Sequence, residues 1–207
     1  MIQIFTGNAG PGAHALLDDM HRDRKRVFVD LLKWAVPVID GAFEVDQFDT
    51  ERTVYLVAAN GAEHLGSFRL LPTDGPHVLG SNFSELCDGP VPCGSSIWEI
   101  SRSCLSPRLR AVDRLRVRNR LISAAVEFAT LRKISAFTCI ANSGWLQQIP
   151  SLGWACEALG KPRPIAGVNT GALRIPITDS TIDELRTGRI YSAAGLLAEP
   201  VPSALAA

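Results

Sequence analysis

The sequence predicts an α/β fold, a sandwich in which a mixed central sheet lies between helical layers. Two observations carry that prediction. Two apolar runs, Thr53–Ala59 and Glu63–Leu71, flank Asn60–Gly61, the dipeptide best suited to a two-residue hairpin turn. Farther on, Trp98–Ala141 reads as strand, long helix, strand, a unit whose right-handed crossover joins parallel neighbours. Antiparallel pairing early and parallel pairing in the middle make the sheet mixed.

The remaining elements follow in chain order. Ile2–Phe5 is a short first strand, ended by the breaker Gly7–Gly12. From Ala13 to about Trp34 the pattern is helical, with Leu16, Leu17, Met20, Val27, Phe28, Leu31 and Leu32 apolar, and Pro37 and Gly41 close it. Glu44–Arg52 is acidic and turn-like. Pro72 to Pro92 is loop-rich, with one short helix at Ser81–Leu86. Ile97–Leu105 is the central strand. Leu109–Arg132 is the longest helix, with Leu115, Ile122, Val126 and Ala129 on its apolar side. Ser135–Ala141 is a buried strand, and a short helix between Ser143 and Leu152 is broken by Pro150. Pro164–Val168 and Ala172–Ile177 are two final strands, Asp179 or Ser180 caps a last helix to about Arg186, and the tail from Ala193 frays. The 207 residues form one domain, with neither an internal repeat nor a linker long enough to mark a second.

Bulk composition excludes several function classes. Hydrophobic content of 46% with 20% charged residues is ordinary globular composition, and the formal net charge is zero, so no global field favours nucleic acid or an anionic membrane. No apolar run has the length of a membrane span, and the N-terminus lacks a signal-peptide pattern. The five cysteines are odd in number and show no CxxC spacing, which points to reduced thiols and a cytoplasmic location. The four histidines include no pair at metal-ligand spacing, so no metal is expected.

Five constellations remain. Glu99 and Arg102 place a carboxylate and a guanidinium three apart on the central strand. On a regular strand they face opposite ways, so they serve one cleft only if the strand bulges between them, which would also free backbone N–H groups for acyl transfer. An ordinary surface ion pair fits the same residues. Arg24 and Phe28, four apart on one helix face, lie near Trp34, and an aromatic pair with an arginine suits a flat heteroaromatic ring or a core helix with a snorkelling side chain. Glu44, Asp46 and Asp49 surround Phe48 and suit an organic cation or a solvated turn, since the length and glycine of a calcium loop are missing. Arg69, in Arg-Leu-Leu-Pro-Thr, is placed to grip a carboxylate. Arg110, Arg114 and Arg118 make one stripe at the start of the longest helix, suited to phosphate or to a solvated face.

Taken together, Arg24, Phe28, Trp34, Asp46, Asp49, Arg69, Phe83, Glu99 and Arg102 resemble the acyl-homoserine-lactone synthases, the LuxI-type autoinducer synthases of bacterial quorum sensing, in residue type, order and spacing. The resemblance covers roughly the first half of the chain. It implies a fold similar to the GNAT N-acetyltransferases, and a reaction in which the amine of S-adenosylmethionine attacks an acyl thioester. The methionyl carboxylate then displaces the sulfonium, closing the lactone and releasing 5′-methylthioadenosine. Both reactants are substrates, and no cofactor is implied. Arg24, Phe28, Trp34 and Arg69 would bind S-adenosylmethionine, with Asp46 and Asp49 beside its cationic groups. Glu99 would take the amine proton, with Arg102 in the catalytic set. Phe83, Ile100, Ser101, Ser103 and Thr138 would line the thioester and acyl pocket, and Arg110 and Arg114 would meet the donor's phosphates.

The chain departs from the family at one telling place. Members often carry Lys or Arg in the short helix after the strand equivalent to Ser135–Ala141, where an acidic acyl carrier protein docks. No Lys or Arg occurs here between Ile134 and Gly160, which favours acyl-CoA over acyl carrier protein. Two other functions compete. A GNAT acyltransferase acting on another amine would usually carry an R/Q-x-x-G-x-G/A loop before the long helix, where this chain reads Ser-Pro-Arg-Leu-Arg-Ala. A non-catalytic ligand-binding relative would have little reason to keep Glu99, Arg102, Asp46 and Asp49.

Overall fold

The computed structural model describes residues 1–7 and 11–198. Its centre is an eight-stranded sheet in the order β1 (Ile2–Thr6), β4 (Val54–Asn60), β5 (Glu63–Pro72), β6 (Ile97–Leu105), β7 (Ala136–Asn142), β10 (Val168–Pro176) and β8 (Glu157–Ala158), with β9 (Arg163–Ile165) also on β10. β2 (Val38–Ile39) and β3 (Phe43–Glu44) form a separate ribbon. Within the main sheet only β6 and β7 run parallel, joined by α3 (Ala111–Arg132) as the strand–helix–strand pattern predicts. The hairpin across Asn60–Gly61 is also as expected.

Alternation along β4 sorts the two faces. Val54, Leu56 and Ala58 pack in the core beneath α3 with Leu121, Ile122, Val126 and Phe128. Tyr55, Val57 and Ala59 pack against Leu16, Leu17 and Met20 of α1 (Ala15–Arg24) on the other face. That second face carries the site. α3 stops where Lys133 turns left-handed (φ 54°) and returns its N–H to the carbonyls of Ala129 and Thr130.

Several expectations need correction. The helix from Ala13 to Trp34 is two pieces: α1 ends at Arg24, and Lys25–Leu31 is wound as a wider π-helical turn, ended by Lys33 at φ 59°. Leu31 and Leu32, expected on the apolar side of a continuous helix, are exposed. Glu44 is not in a turn but in strand β3. The short helix near Ser81–Leu86 is α2 (Val78–Asn82) followed by a 3-10 turn at Ser84–Leu86. Leu115 is exposed on α3, whose buried side is carried by residues from Val117 onward. The last strands form one hairpin turning at Ala166–Gly167, both at positive φ, rather than two separate strands. α4 (Ser143–Gln148) precedes a 3-10 turn containing Pro150, and α5 spans Thr181–Thr187. The segment from Ala193 is tied down as far as Leu196: the buried Glu127 carboxylate accepts from Tyr191 Oη and from the N–H groups of Ala194 and Leu196, all at 2.8–2.9 Å. The rest of the expected frayed tail, 199–207, lies outside the described residues. No described helix is long and apolar enough to cross a membrane.

Candidate active site

The geometry starts from the predicted irregularity in β6. Ser101 pairs with Arg69 and Cys104 with Ser67, so Arg102 and Ser103 together oppose the single residue Phe68. Arg102 sits at φ 47°. This bulge turns the Arg102 side chain onto the face that Glu99 and Ser101 already occupy, so three consecutive polar positions of one strand share one side.

On that side Arg102 enters an ionic lattice of three arginines and three carboxylates. Arg24 gives Nε to Glu44 Oε2 (2.6 Å) and both terminal nitrogens to Asp49 (2.8 and 2.9 Å). Arg69 makes a two-point contact with Asp46 (2.6 and 3.2 Å), lies 3.1 Å from Asp49 Oδ1, and gives Nε to Ser101 Oγ (3.0 Å). Arg102 bonds Glu44 Oε1 (3.0 Å) and Asp46 Oδ2 (2.7 Å). The charges balance, as buried ions must. Asp49 also accepts from Tyr55 Oη (2.7 Å) and from the N–H of Asp46 (2.8 Å). Burial alone would raise its pKa, but Arg24 and Arg69 outweigh that and hold the carboxyl well below the usual carboxylate range. His21 donates Nδ1–H to the Glu44 carbonyl (2.9 Å), and burial, with Arg24 beside it, pushes the imidazole down to about 4, so it stays neutral. Asp49 and Arg24 therefore hold the shape of the site, while Arg102 and Asp46 form its outer layer.

Aromatic rings cap that layer. Phe28 and Trp34 are stacked at 4.8 Å with planes 16° apart, and the Arg102 guanidinium lies 5.4 and 5.6 Å from their centroids. The Trp34 main-chain N–H donates to the Phe28 carbonyl (2.8 Å), so the π-helical turn itself sets the stack. Phe28 is buried, whereas Trp34 is 44% exposed.

Farther along β6, buried Glu99 meets the start of α2. Its two oxygens accept the N–H groups of Val78 (3.1 Å) and Leu79 (2.7 Å). Burial raises the Glu99 pKa, and these two bonds together with nearby His77 and Arg69 only partly offset the rise. Glu99 lies in register with Thr138 on β7, whose buried hydroxyl has no hydrogen-bond partner among the described residues. The β6–β7 pairing ends at Ile100↔Cys139, although β6 runs to Leu105 and β7 to Asn142. The strands thus part beside Ser101–Ser103, leaving an opening in the sheet with backbone polar groups along its edge.

A carboxylate of raised basicity, an opening with main-chain donors and an aromatic–arginine cap suit transfer of an acyl group to an amine. The autoinducer synthase family model matches residues 12–185. The chain belongs to the autoinducer synthase family. It is 33% identical to the acyl-homoserine-lactone synthase of Rhizobium etli over 193 residues, 91% of this chain and 89% of that protein. Its fold matches the CoA-dependent acyl-homoserine lactone synthase BjaI, solved with SAM and isopentyl-CoA, at a TM-score of 0.80 and 29% identity, covering 92% of this chain and 89% of that one. An acyl-CoA N-acyltransferase from Pseudomonas aeruginosa, 16% identical, matches at 0.59 over 84% of this chain and 97% of that one, which shows the wider acyltransferase fold. The GNAT-like architecture expected from the sequence is therefore present.

Of the positions that the synthase resemblance singled out, Arg24, Phe28, Trp34, Asp46, Asp49, Arg69, Ser101 and Arg102 come together in the lattice and its cap. Glu99, Thr138 and Ile100 lie together around the end of the β6–β7 pairing, and Phe83 packs against the cluster of Phe48, Leu71 and Val78. Ser103 is exposed on the bulge. Ser101 Oγ accepts from Arg69 Nε. Arg110 and Arg114 stand apart from the lattice: Arg110 is the exposed N-cap of α3, and Arg114 bonds the Ser106 carbonyl (3.1 Å). Glu44, one of the three clustered carboxylates in the sequence, lies outside the positions the resemblance carries, and Tyr55 looks like any aromatic residue of a strand.

Proposed function

We propose that this synthase domain acylates the α-amine of S-adenosylmethionine from an acyl thioester and closes the lactone with release of 5′-methylthioadenosine. The observation that carries the reading is the β6 bulge, which sets Glu99, Ser101 and Arg102 on one face where β6 parts from β7. Trp34 and Phe28 take the adenine, while Arg102 and Asp46 meet the methionyl carboxylate and the cationic groups. Arg24, Arg69 and Asp49 fix those side chains. Glu99 accepts a proton from the ammonium group, a role that its raised pKa favours because a stronger base works better near neutrality. N–H groups of the Ile100–Ser103 stretch stabilise the tetrahedral oxyanion.

Acyl-CoA is the donor we favour. BjaI is described as CoA-dependent, and the 134–160 segment of this chain offers no basic residue to an acidic carrier protein. Arg110 and Arg114, at the start of α3, meet the donor's phosphates, and Phe83, Ile100, Ser103 and Thr138 border the acyl group. Both reactants are consumed as substrates, with no cofactor required, and the work is cytoplasmic, where both are made.

Mass spectrometry of products from purified protein, S-adenosylmethionine and either acyl-CoAs or acyl carrier proteins tests the reading. Acyl-homoserine lactone with methylthioadenosine supports it, and the productive panel identifies the donor. Folded protein that binds S-adenosylmethionine yet yields no lactone with any donor would favour the non-catalytic alternative. Glu99→Gln lowers kcat at least about a hundredfold with S-adenosylmethionine affinity retained; unchanged turnover would remove Glu99 as the base.

A further inference from the structure

The proposed reaction releases one proton per turnover, and the proton must leave a buried place. S-adenosylmethionine carries a sulfonium, an ammonium and a carboxylate, one net positive charge. Forming the C–N bond and breaking the thioester C–S bond takes two protons from the ammonium nitrogen; one goes to the departing thiolate. Lactone closure forms a C–O bond and breaks the Cγ–sulfonium bond, which consumes no proton and leaves neutral methylthioadenosine. One proton remains on the base. Glu99, 1% exposed with both oxygens engaged by Val78 and Leu79, has no direct route to water.

His77 lies at the right place to take it. It is the N-cap of α2, immediately before the two residues whose N–H groups hold Glu99. Its Nδ1 lies 2.9 Å from the Gly75 carbonyl, which can only accept, so Nδ1 carries the ring proton and Nε2 is the basic nitrogen. That Nε2 is buried and has no hydrogen-bond partner among the described residues. The ring lies against Gly80, where a Cβ would come within 2.7 Å of Cε1 and Nε2, so only glycine leaves the imidazole its position. The residue itself is 6% exposed, at the edge of the interior.

We propose that His77 is the proton outlet of this site: Nε2 takes the proton from Glu99 across a bridging water molecule and passes it on towards solvent at the edge of the interior. The proposal rests on Glu99 acting as the base in the reaction above. The other charged or titratable groups around the pair are Arg69 on β5, Cys139 on β7, and the Arg52–Asp74 ion pair on the flanking loops. None of them offers an unpaired basic nitrogen.

Two variants test the outlet. His77→Asn keeps a donor for the Gly75 carbonyl and a favoured N-cap residue, but removes the basic nitrogen. Its kcat should fall roughly ten- to a hundredfold, with S-adenosylmethionine affinity unchanged, and should rise again with increasing imidazole or phosphate buffer while the wild type stays indifferent to buffer. Gly80→Ala keeps the histidine but displaces the ring. It should lower kcat several-fold with S-adenosylmethionine affinity retained. Unchanged turnover in His77→Asn, or a loss that no buffer concentration relieves, would overturn the outlet. Wild-type enzyme making lactone in the same assay keeps that failure separate from any failure of the reaction itself.

Discussion

Two ionic clusters lie on the α1 face of the sheet, and only one of them is built to meet a ligand. The Arg24–Arg69–Arg102 lattice ends at a stacked aromatic pair with an indole open to solvent. The second cluster joins α1, β5 and the loop before α3. His64 places Nδ1 2.9 Å from Asp23 Oδ2 and Nε2 3.0 Å from Ser67 Oγ, and Arg108 reaches Asp19, Asp23 and the His64 carbonyl. By distance alone it is a Ser–His–Asp triad. Yet Ser67, as buried as Glu99, sits where β5 is paired on both sides, with Val57 and with Cys104, so no parting of strands lies beside it as one does past Ile100. Both clusters depend on bulges: an extra residue at Leu65 brings His64 and Ser67 to one face of β5, as the extra residue in β6 does for Glu99 and Arg102. The difference teaches that geometry among polar groups makes a candidate, and an open aromatic or main-chain edge makes a site.

The largest test of that contrast removes the arginine that stands between the lattice and the opening. Arg102→Ala leaves Glu44 and Asp46 each short of a partner and uncovers the aromatic stack. Removing one member of a buried pair costs about 3 kcal/mol. If most of that is borne in substrate binding, S-adenosylmethionine affinity falls about a hundredfold. Calorimetric titration alongside thermal melts separates the two costs. A variant that loses stability but binds normally would make the lattice a mere core element, like its neighbour.

The sealed cluster should behave the opposite way. Burial by itself would raise the Asp23 pKa, but hydrogen bonds from His64, Ser106 and Arg26 bring it below the usual value. A carboxylate depressed in the folded state contributes stability that is present above its unfolded pKa, near 3.8, and is lost as pH falls through the folded value. Asp23→Asn should cost about 1–3 kcal/mol at neutral pH and flatten the fall of Tm below about pH 4, with kcat per folded molecule unchanged. The fall does not vanish, because Asp49 in the other cluster has the same sign. A large loss of kcat without loss of Tm would mean that the second cluster also acts on substrate.

Much of this arrangement was legible in the sequence, and the illegible part has physical causes. Ile97–Leu105 shows its bounds because apolar residues flank a charged pair, and the demand that Glu99 and Arg102 share a cleft required the bulge that the structure contains. The π-helical turn at Lys25–Leu31 left no mark, since its apolar spacing fits an α-helix equally well. β8 has two residues, too few for alternation to register, and the turn at Ala166–Gly167 lacks the asparagine or aspartate that advertises a hairpin. Glu127 reads as a stray charge in the apolar stretch of α3 until the returning chain supplies its three donors. The second cluster was invisible for the same reason: Asp23, His64 and Arg108 are far apart in sequence and meet only after folding.

The smallest expected effect is also the cleanest discriminator between a site and a core. Trp34 is stacked on Phe28, but nearly half of it remains in water, so truncation to alanine removes little buried area and should lower stability by less than about 1 kcal/mol. Stacking on a purine would be worth about 0.5–1.5 kcal/mol beyond simple burial, which predicts a loss of S-adenosylmethionine affinity of up to roughly tenfold. The same variant should bind methylthioadenosine more weakly by a similar factor, because the adenine is common to both molecules while the methionyl carboxylate is not. A drop confined to S-adenosylmethionine would move Trp34 from the adenine to the methionyl end, beside Arg102. Intact affinity for both, with a lowered Tm, would make the stacked pair an outlying piece of the core, and the lattice would then lose the open edge that distinguishes it from the sealed cluster on β5.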